Sequence, residues 1–182
     1  GDSACCLPAV SLGQGALDTI REWSRGLALA LNVQGLINLQ FAVQQNAEGE
    51  EIVYIIEANP RASRTVPFVA KATGQPLARI ATRLMAGETL QQVGLTTEPQ
   101  PPLQTIKEAV LPFRRFPGAD TVLGPEMRST GEVMGSADSF GMAYAKAELG
   151  AGEALPTSGT VFLSTHNRDK PALVPVAERL AQ

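Results

Sequence analysis

Two runs of alternating residues separated by a short turn constrain this chain more than any other feature. From Leu36 to Gln44, the residues Ile37, Leu39, Phe41 and Val43 take one face, while Asn38, Gln40 and Gln44 share the other with Ala42. Successive side chains of a strand point to opposite faces, so period two is its signature. Asn46-Ala47-Glu48-Gly49-Glu50 is a turn signal. Ile52–Asn59 then returns with Ile52, Tyr54 and Ile56 on one face and Val53, Ile55, Glu57 and Asn59 on the other. The two runs predict an antiparallel β-hairpin.

Around the hairpin the period is mostly helical. Ala16–Leu31 places Leu17, Ile20, Trp23, Leu27, Ala30 and Leu31 on one stripe, so Trp23 is expected in the core. Pro60 ends the second strand. Helices are expected at Val66–Thr73 and Pro76–Ala86, closed by Gly74 and Gly87, with Leu77, Ile80, Ala81, Leu84 and Met85 as the buried stripe of the second. Thr97–Pro102 reads as a stiff connector. Strands are expected at Ile106–Phe113 and Glu126–Met134 around the loop Phe116–Pro125, and a helix at Ser139–Leu149. Gly150–Ser158 is small and polar, a natural boundary. Beyond it, Thr160–Thr165 reads as a buried strand and Lys170–Ala181 as the helix after it, the opening of an α/β unit.

Composition narrows the function class. Hydrophobic residues make up 44 % of the 182 and charged residues 18 %, enough apolar material for a core. A net charge of −3 is not the basic footprint of a nucleic-acid-binding domain, and no apolar run approaches the ~20 residues that cross a bilayer. Cys5 and Cys6 are adjacent and have no other cysteine to pair with, so a reduced, cytoplasmic setting is expected. His166 is the one histidine, read as a loop residue without a catalytic role. The chain opens Gly1-Asp2-Ser3 without Met and closes in a helical pattern, so it is expected to be a piece of a longer protein.

The chemistry sits at the open end of the hairpin. A turn centred between Glu48 and Gly49 sets Gln40 directly across from Glu57, with Asn59 further along the same face. Opposed Cβ atoms lie about 4.5–5.5 Å apart. One carboxylate and two carboxamides then converge, all oxygen donors, which hard cations such as Mg²⁺ and Mn²⁺ prefer. Arg61 and Arg64 follow Pro60, and a guanidinium fork suits carboxylate, carbonate or phosphate oxygens. Metal-bound phosphate beside an Arg-held small anion is the layout of phosphoryl transfer. The same residues also describe a solvated hairpin face followed by two surface charges. Val53 and Ile55, read onto the face of Glu57, favour a part-buried, functional face. Arg128 and Glu132, four apart, are expected on one strand face, either pairing there or supporting the site; Arg114-Arg115 reads as a solvated pair.

Ile56-Glu57-Ala58-Asn59-Pro60-Arg61 resembles the Glu-x-Asn-Pro-Arg motif of the ATP-grasp superfamily. More narrowly, Gly35–Phe41, Glu57–Gly74 and Leu111–Gly135 resemble the carbamoyl-phosphate synthetase large-subunit family. Thr65-Val66-Pro67-Phe68, Phe116-Pro117-Gly118 and Leu123-Gly124-Pro125-Glu126-Met127-Arg128 resemble its second, carbamoyl-phosphate-forming half. The resemblance implies an α+β ATP-grasp C-terminal lobe over residues 1–149, an antiparallel sheet with helices. Residues 150–182 resemble the start of an α/β methylglyoxal-synthase-like regulatory domain.

Roles follow from that resemblance. Gln40 and Glu57 would bind a first Mg²⁺ or Mn²⁺ and contact ATP phosphates, and Glu57 and Asn59 a second. Arg61 and Arg64 would orient carbamate or the transferred phosphoryl group. The implied substrates are ATP and carbamate, and the implied partners are the rest of the large subunit and a glutaminase small subunit that together serve arginine and pyrimidine synthesis. The family's adenine-binding residues and glycine-rich lid are not in this sequence, so the isolated chain is expected to be inactive. The turn Asn46–Glu51 looks longer than the family pattern. Two rivals stand beside this reading: a non-catalytic ATP-grasp-like binding module, expected to have lost the metal trio, and another ATP-grasp carboxylate ligase, expected to lack Leu111–Gly135.

Overall fold

A computed structural model describes residues 2–154 and 156–181, leaving aside the side chain of Arg114. In chain order the elements are β1 (Cys5–Leu7), α1 (Gln14–Ala30), β2 (Asn38–Gln45), β3 (Glu51–Asn59), α2 (Thr65–Thr73), α3 (Leu77–Met85), β4 (Gln104–Val110), β5 (Gly131–Ala137), α4 (Phe140–Ala151) and α5 (Lys170–Leu180). Two antiparallel sheets result: the hairpin β2–β3 and a three-stranded sheet in the order β1-β4-β5. This is the expected α+β arrangement of antiparallel sheet and helices.

The three-stranded sheet carries the densest core. Alternation in β4 sends Ile106 to the face that α4 covers, where it meets Ala137, Ala143 and Ala147, with Cys6 of β1 beside them. Ala143 and Ala147 are fully buried because α4 lies almost on the β5 backbone. Gly135 permits that approach: a Cβ there would collide with the Ala143 carbonyl oxygen and the Ala147 nitrogen. The opposite face carries Thr105, Lys107 and Ala109, all buried. The Ser139 hydroxyl accepts from the Met142 N–H at the start of α4, a side-chain N-cap.

The hairpin forms as expected, with a register of its own. Asn46 Oδ1 accepts from the backbone N–H groups of Glu48 and Glu50, and Gly49 takes φ 84°, so the turn holds itself. Near the turn the pairs run Gln45–Glu51, Val43–Val53 and Phe41–Ile55, one residue out from a turn centred between Glu48 and Gly49. A β-bulge at Ile56 then restores Gln40–Glu57 and Asn38–Asn59. Partner residues share a face, so Glu57 lies with Gln40, Ala42 and Tyr54, while Val53 and Ile55 lie with Val43 and Phe41. The expectation that Glu57 shares the face of Val53 and Ile55 is therefore wrong, because the extra residue breaks the alternation between them. Val53 is buried and Glu57 exposed.

Other expectations shift for physical reasons. Ala16 is buried in α1, but Trp23 and Leu31 are exposed, as is Met85 of α3. Both apolar stripes are wider than the surface that the described residues offer them. The residues Glu126–Thr130 are irregular rather than strand, since Asp2 accepts the backbone N–H groups of Arg128 and Ser129 that a ladder would use. Phe113–Arg115 is a 3-10 turn, not the end of a strand. β1 carries no alternation long enough to announce it and forms by pairing with β4. In the expected boundary Gly150–Ser158, α4 continues to Ala151 and stops at Gly152 with φ 91°; Leu155 lies outside the described residues. The expected strand at Thr160–Thr165 does not form, and Val161, Phe162 and Leu163 are exposed. A buried parallel strand needs a neighbouring strand and cover on both faces, and the described residues supply neither. α5 does form, with no buried residue.

Candidate metal and oxyanion site

The open end of the hairpin brings three predicted residues to one atom. Gln40 Nε2 donates to Glu57 Oε1 at 2.6 Å, and Asn59 Nδ2 donates to the same oxygen at 2.8 Å. A carboxamide carries a donor and an acceptor in nearly the same place, so the pair that now donates to the carboxylate can equally present two carbonyl oxygens beside it. That donor set fits a hard cation. Among the described residues no three His, Cys, Asp or Glu side chains cluster, so a metal site built from those types is not an alternative here.

From this trio the chain turns directly into α2. The Arg61 N–H donates to the Asn59 carbonyl at 2.7 Å, a tight turn after the strand. Asn38, opposite Asn59, donates to Ser63 Oγ at 3.2 Å, and that hydroxyl accepts from the Thr65 N–H at 3.3 Å. The hairpin is thus bonded to the first turn of α2, whose positive dipole end faces the same region.

Between the hairpin end, α2 and the free face of the three-stranded sheet lies a cavity of about 380 Å³. Gln40, Arg61 and Arg64 line one side, and Lys107 and Glu132 the other. Lys107 is only 4 % exposed and donates to Glu132 Oε1 at 3.2 Å. The two sit diagonally on neighbouring strands, where alternation places them on one face. Burial raises the pKa of the Cys5 thiol, which lies across from Lys107, and the ammonium partly opposes that rise. Among the described residues, Arg61 and Arg64 are paired with no carboxylate, so their charge is left for an anion in the cavity.

All five predicted site residues therefore meet at one end of the hairpin. Two expectations change. Glu132 pairs with Lys107 rather than Arg128, whose irregular backbone takes it off the strand. Glu57 is exposed rather than part-buried. Reasoning from sequence missed Lys107 and the positioning role of Asn38 and Ser63. Period two over Thr105–Val110, which sets Lys107 on one strand face with the small apolar Ala109, was the signal for the first.

Comparison with known proteins places the chain in a family. The family described as carbamoyl-phosphate synthase L chain, ATP binding domain, matches residues 1–93, just over half of the chain. The chain belongs to that family. The large chain of carbamoyl phosphate synthase from Synechocystis sp. is 61 % identical over 180 residues, covering 99 % of this chain. The corresponding protein of Pasteurella multocida is 57 % identical over 182 residues, covering all of it. This chain spans 16–17 % of the length of these large chains. Among solved structures, the biotin carboxylase domain of a single-chain bacterial carboxylase is similar at TM-score 0.50 and 31 % identity, over 58 % of this chain and 25 % of that one. Among the described residues, no helix is long and apolar enough to cross a membrane.

Proposed function

We propose that this chain is the C-terminal lobe of the carbamoyl-phosphate-forming ATP-grasp half of a carbamoyl phosphate synthase large chain, a ligase that uses ATP. The observation that carries the reading is the convergence of Gln40 and Asn59 on Glu57 beside a cavity lined by Arg61 and Arg64. The reaction is ATP + carbamate → ADP + carbamoyl phosphate: a carbamate oxygen forms a bond to the γ-phosphorus, and the bond to the β,γ-bridging oxygen breaks. Gln40, Glu57 and Asn59 would hold two Mg²⁺ or Mn²⁺ ions, which neutralise phosphate charge when bound. Arg61 and Arg64 hold the carbamate and the transferred phosphoryl oxygens in line, with the N-terminus of α2 adding positive potential. Such a reaction needs positioning and charge stabilisation more than covalent help from the protein.

The rest of the proposal extends the reading to the whole large chain. The lobe, expected over residues 1–149, extends to the end of α4 at Ala151, and the residues from Gly152 on begin a methylglyoxal-synthase-like regulatory domain. A glutaminase small subunit supplies ammonia, the product serves arginine and pyrimidine synthesis in the cytoplasm, and the isolated chain is inactive. Identity along nearly the whole chain supports carbamoyl phosphate formation over the carboxylase chemistry of the structural neighbour.

Glu57→Gln in the full-length chain tests the reading. It is expected to lower carbamate-dependent ADP formation about 10³-fold, the scale of losing one main charge-stabilising group, and to weaken Mn²⁺ binding, with unfolding unchanged because Glu57 is exposed. Normal turnover in that variant sinks the assignment.

A further inference from the structure

The hairpin has one residue too many, and it sits beside the chemistry. Every residue of β2 from Asn38 to Gln45 has a partner in β3, and every residue of β3 has one in β2 except Ile56. The irregularity falls between the pairs Phe41–Ile55 and Gln40–Glu57. On the turn side of it the hairpin is structural: Val53 is buried opposite Val43. On the far side it is chemical: Gln40, Glu57 and Asn59 converge, and the chain runs on to Arg61.

Burial of its own side chain does not account for Ile56, which is 63 % exposed. Pairing does not require it either, for a hairpin without Ile56 still sets Glu57 opposite Gln40 and on the same face. What the extra residue adds is a local bend and a tighter twist, the known effect of a bulge. That bend acts on the two site residues beyond it, Glu57 and Asn59.

We infer that the Ile56 bulge is a positioning device that aims Glu57 and Asn59 at a common cation, through its backbone and not its side chain. The inference rests on the proposed function, in which these residues bind Mg²⁺ or Mn²⁺. It adds that opposition of Gln40 and Glu57 in a regular ladder is not enough.

The test measures Mn²⁺ affinity by electron paramagnetic resonance, and thermal unfolding in parallel, on the full-length chain. Deleting Ile56 regularises the ladder while keeping the pair; it is expected to weaken Mn²⁺ binding at least tenfold without lowering the melting temperature. Ile56→Ala keeps the extra residue and is expected to bind Mn²⁺ as the wild type does. A third variant deletes Ile56 and inserts an alanine after Val53, which moves the bulge toward the turn at constant strand length; it is expected to behave as the deletion does. Wild-type affinity in the deletion or in the moved-bulge variant overturns the inference, and so does equal loss in Ile56→Ala. If neither rearranged variant folds, the bulge serves the hairpin's stability, and the inference is likewise overturned. Failure of the wild-type site to bind Mn²⁺ sinks the metal reading instead, which keeps the two failures apart.

Discussion

The two sheets of this chain use the same antiparallel geometry for opposite ends. In β1-β4-β5 one face is sealed by α4, and small residues let helix and strand approach until Ala143 and Ala147 lose all exposure. In β2–β3 the face carrying Gln40, Glu57 and Asn59 stays open, and exposed Ile52 and Tyr54 lie along it. The sealed sheet is where a substitution should cost stability. The open one is where a substitution should cost chemistry. The architecture thus separates holding from doing, and the cavity sits where the two sheets meet, with Lys107 from one and Gln40 from the other.

Four substitutions put this contrast to the test. The largest stability effect is expected from Gly135→Ala, which drives a methyl group into the α4 backbone and should cost about 3 kcal/mol; a urea midpoint like the wild type's would show that α4 can retreat freely. Lys107→Met comes next. It leaves Glu132, with a side chain 21 % exposed, without its partner, so a loss of about 2 kcal/mol is expected, below the cost of orphaning a fully buried charge. A double variant with Glu132→Gln should recover part of it, and additive losses in that cycle would mean that the pair is not coupled.

Smaller effects lie at the edges of the two sheets. Glu51 accepts the Gly13 N–H at the start of α1 at 2.9 Å, so Glu51→Ala should cost about 1 kcal/mol, read by thermal melting. The smallest is a pH effect. Hydrogen bonds from Ser129 and from the backbone N–H of Arg128 hold the Asp2 carboxyl below its ordinary value. A depressed carboxyl stabilises the fold fully above its unfolded pKa, and that contribution is lost as pH falls below about 3.8 toward the folded value. Asp2→Asn should therefore lower stability slightly at neutral pH, where the ionised carboxyl contributes, flatten the acid limb of the profile, and leave strongly acidic pH nearly untouched; a limb that stays as steep would detach Asp2 from the loop.

The hairpin, α2, α3 and α4 were legible in the sequence because their signals are local: period two, helical stripes, and glycine caps at Gly74 and Gly87. The site residues were legible because Glu57, Asn59, Arg61 and Arg64 lie within one short segment. What could not be read depends on partners distant in sequence. The three residues of β1 form a strand only because β4 is there to pair with it. Thr160–Thr165 has the pattern of a strand and, among the described residues, no neighbour to make it one. The bulge at Ile56 is hidden for another reason: alternation is counted along one strand, whereas a bulge is defined by two.

The turn Asn46–Glu50 has a practical use that follows from its self-sufficiency. Asn46 alone organises it through its own side chain, and Glu51 ties the strand just after it to α1. From Gln45 to Gln40 is five strand steps, roughly 17 Å. A reporter peptide spliced between Glu48 and Gly49 would therefore hang from an anchored stem, close enough to register events at the cation site and too far away to obstruct them.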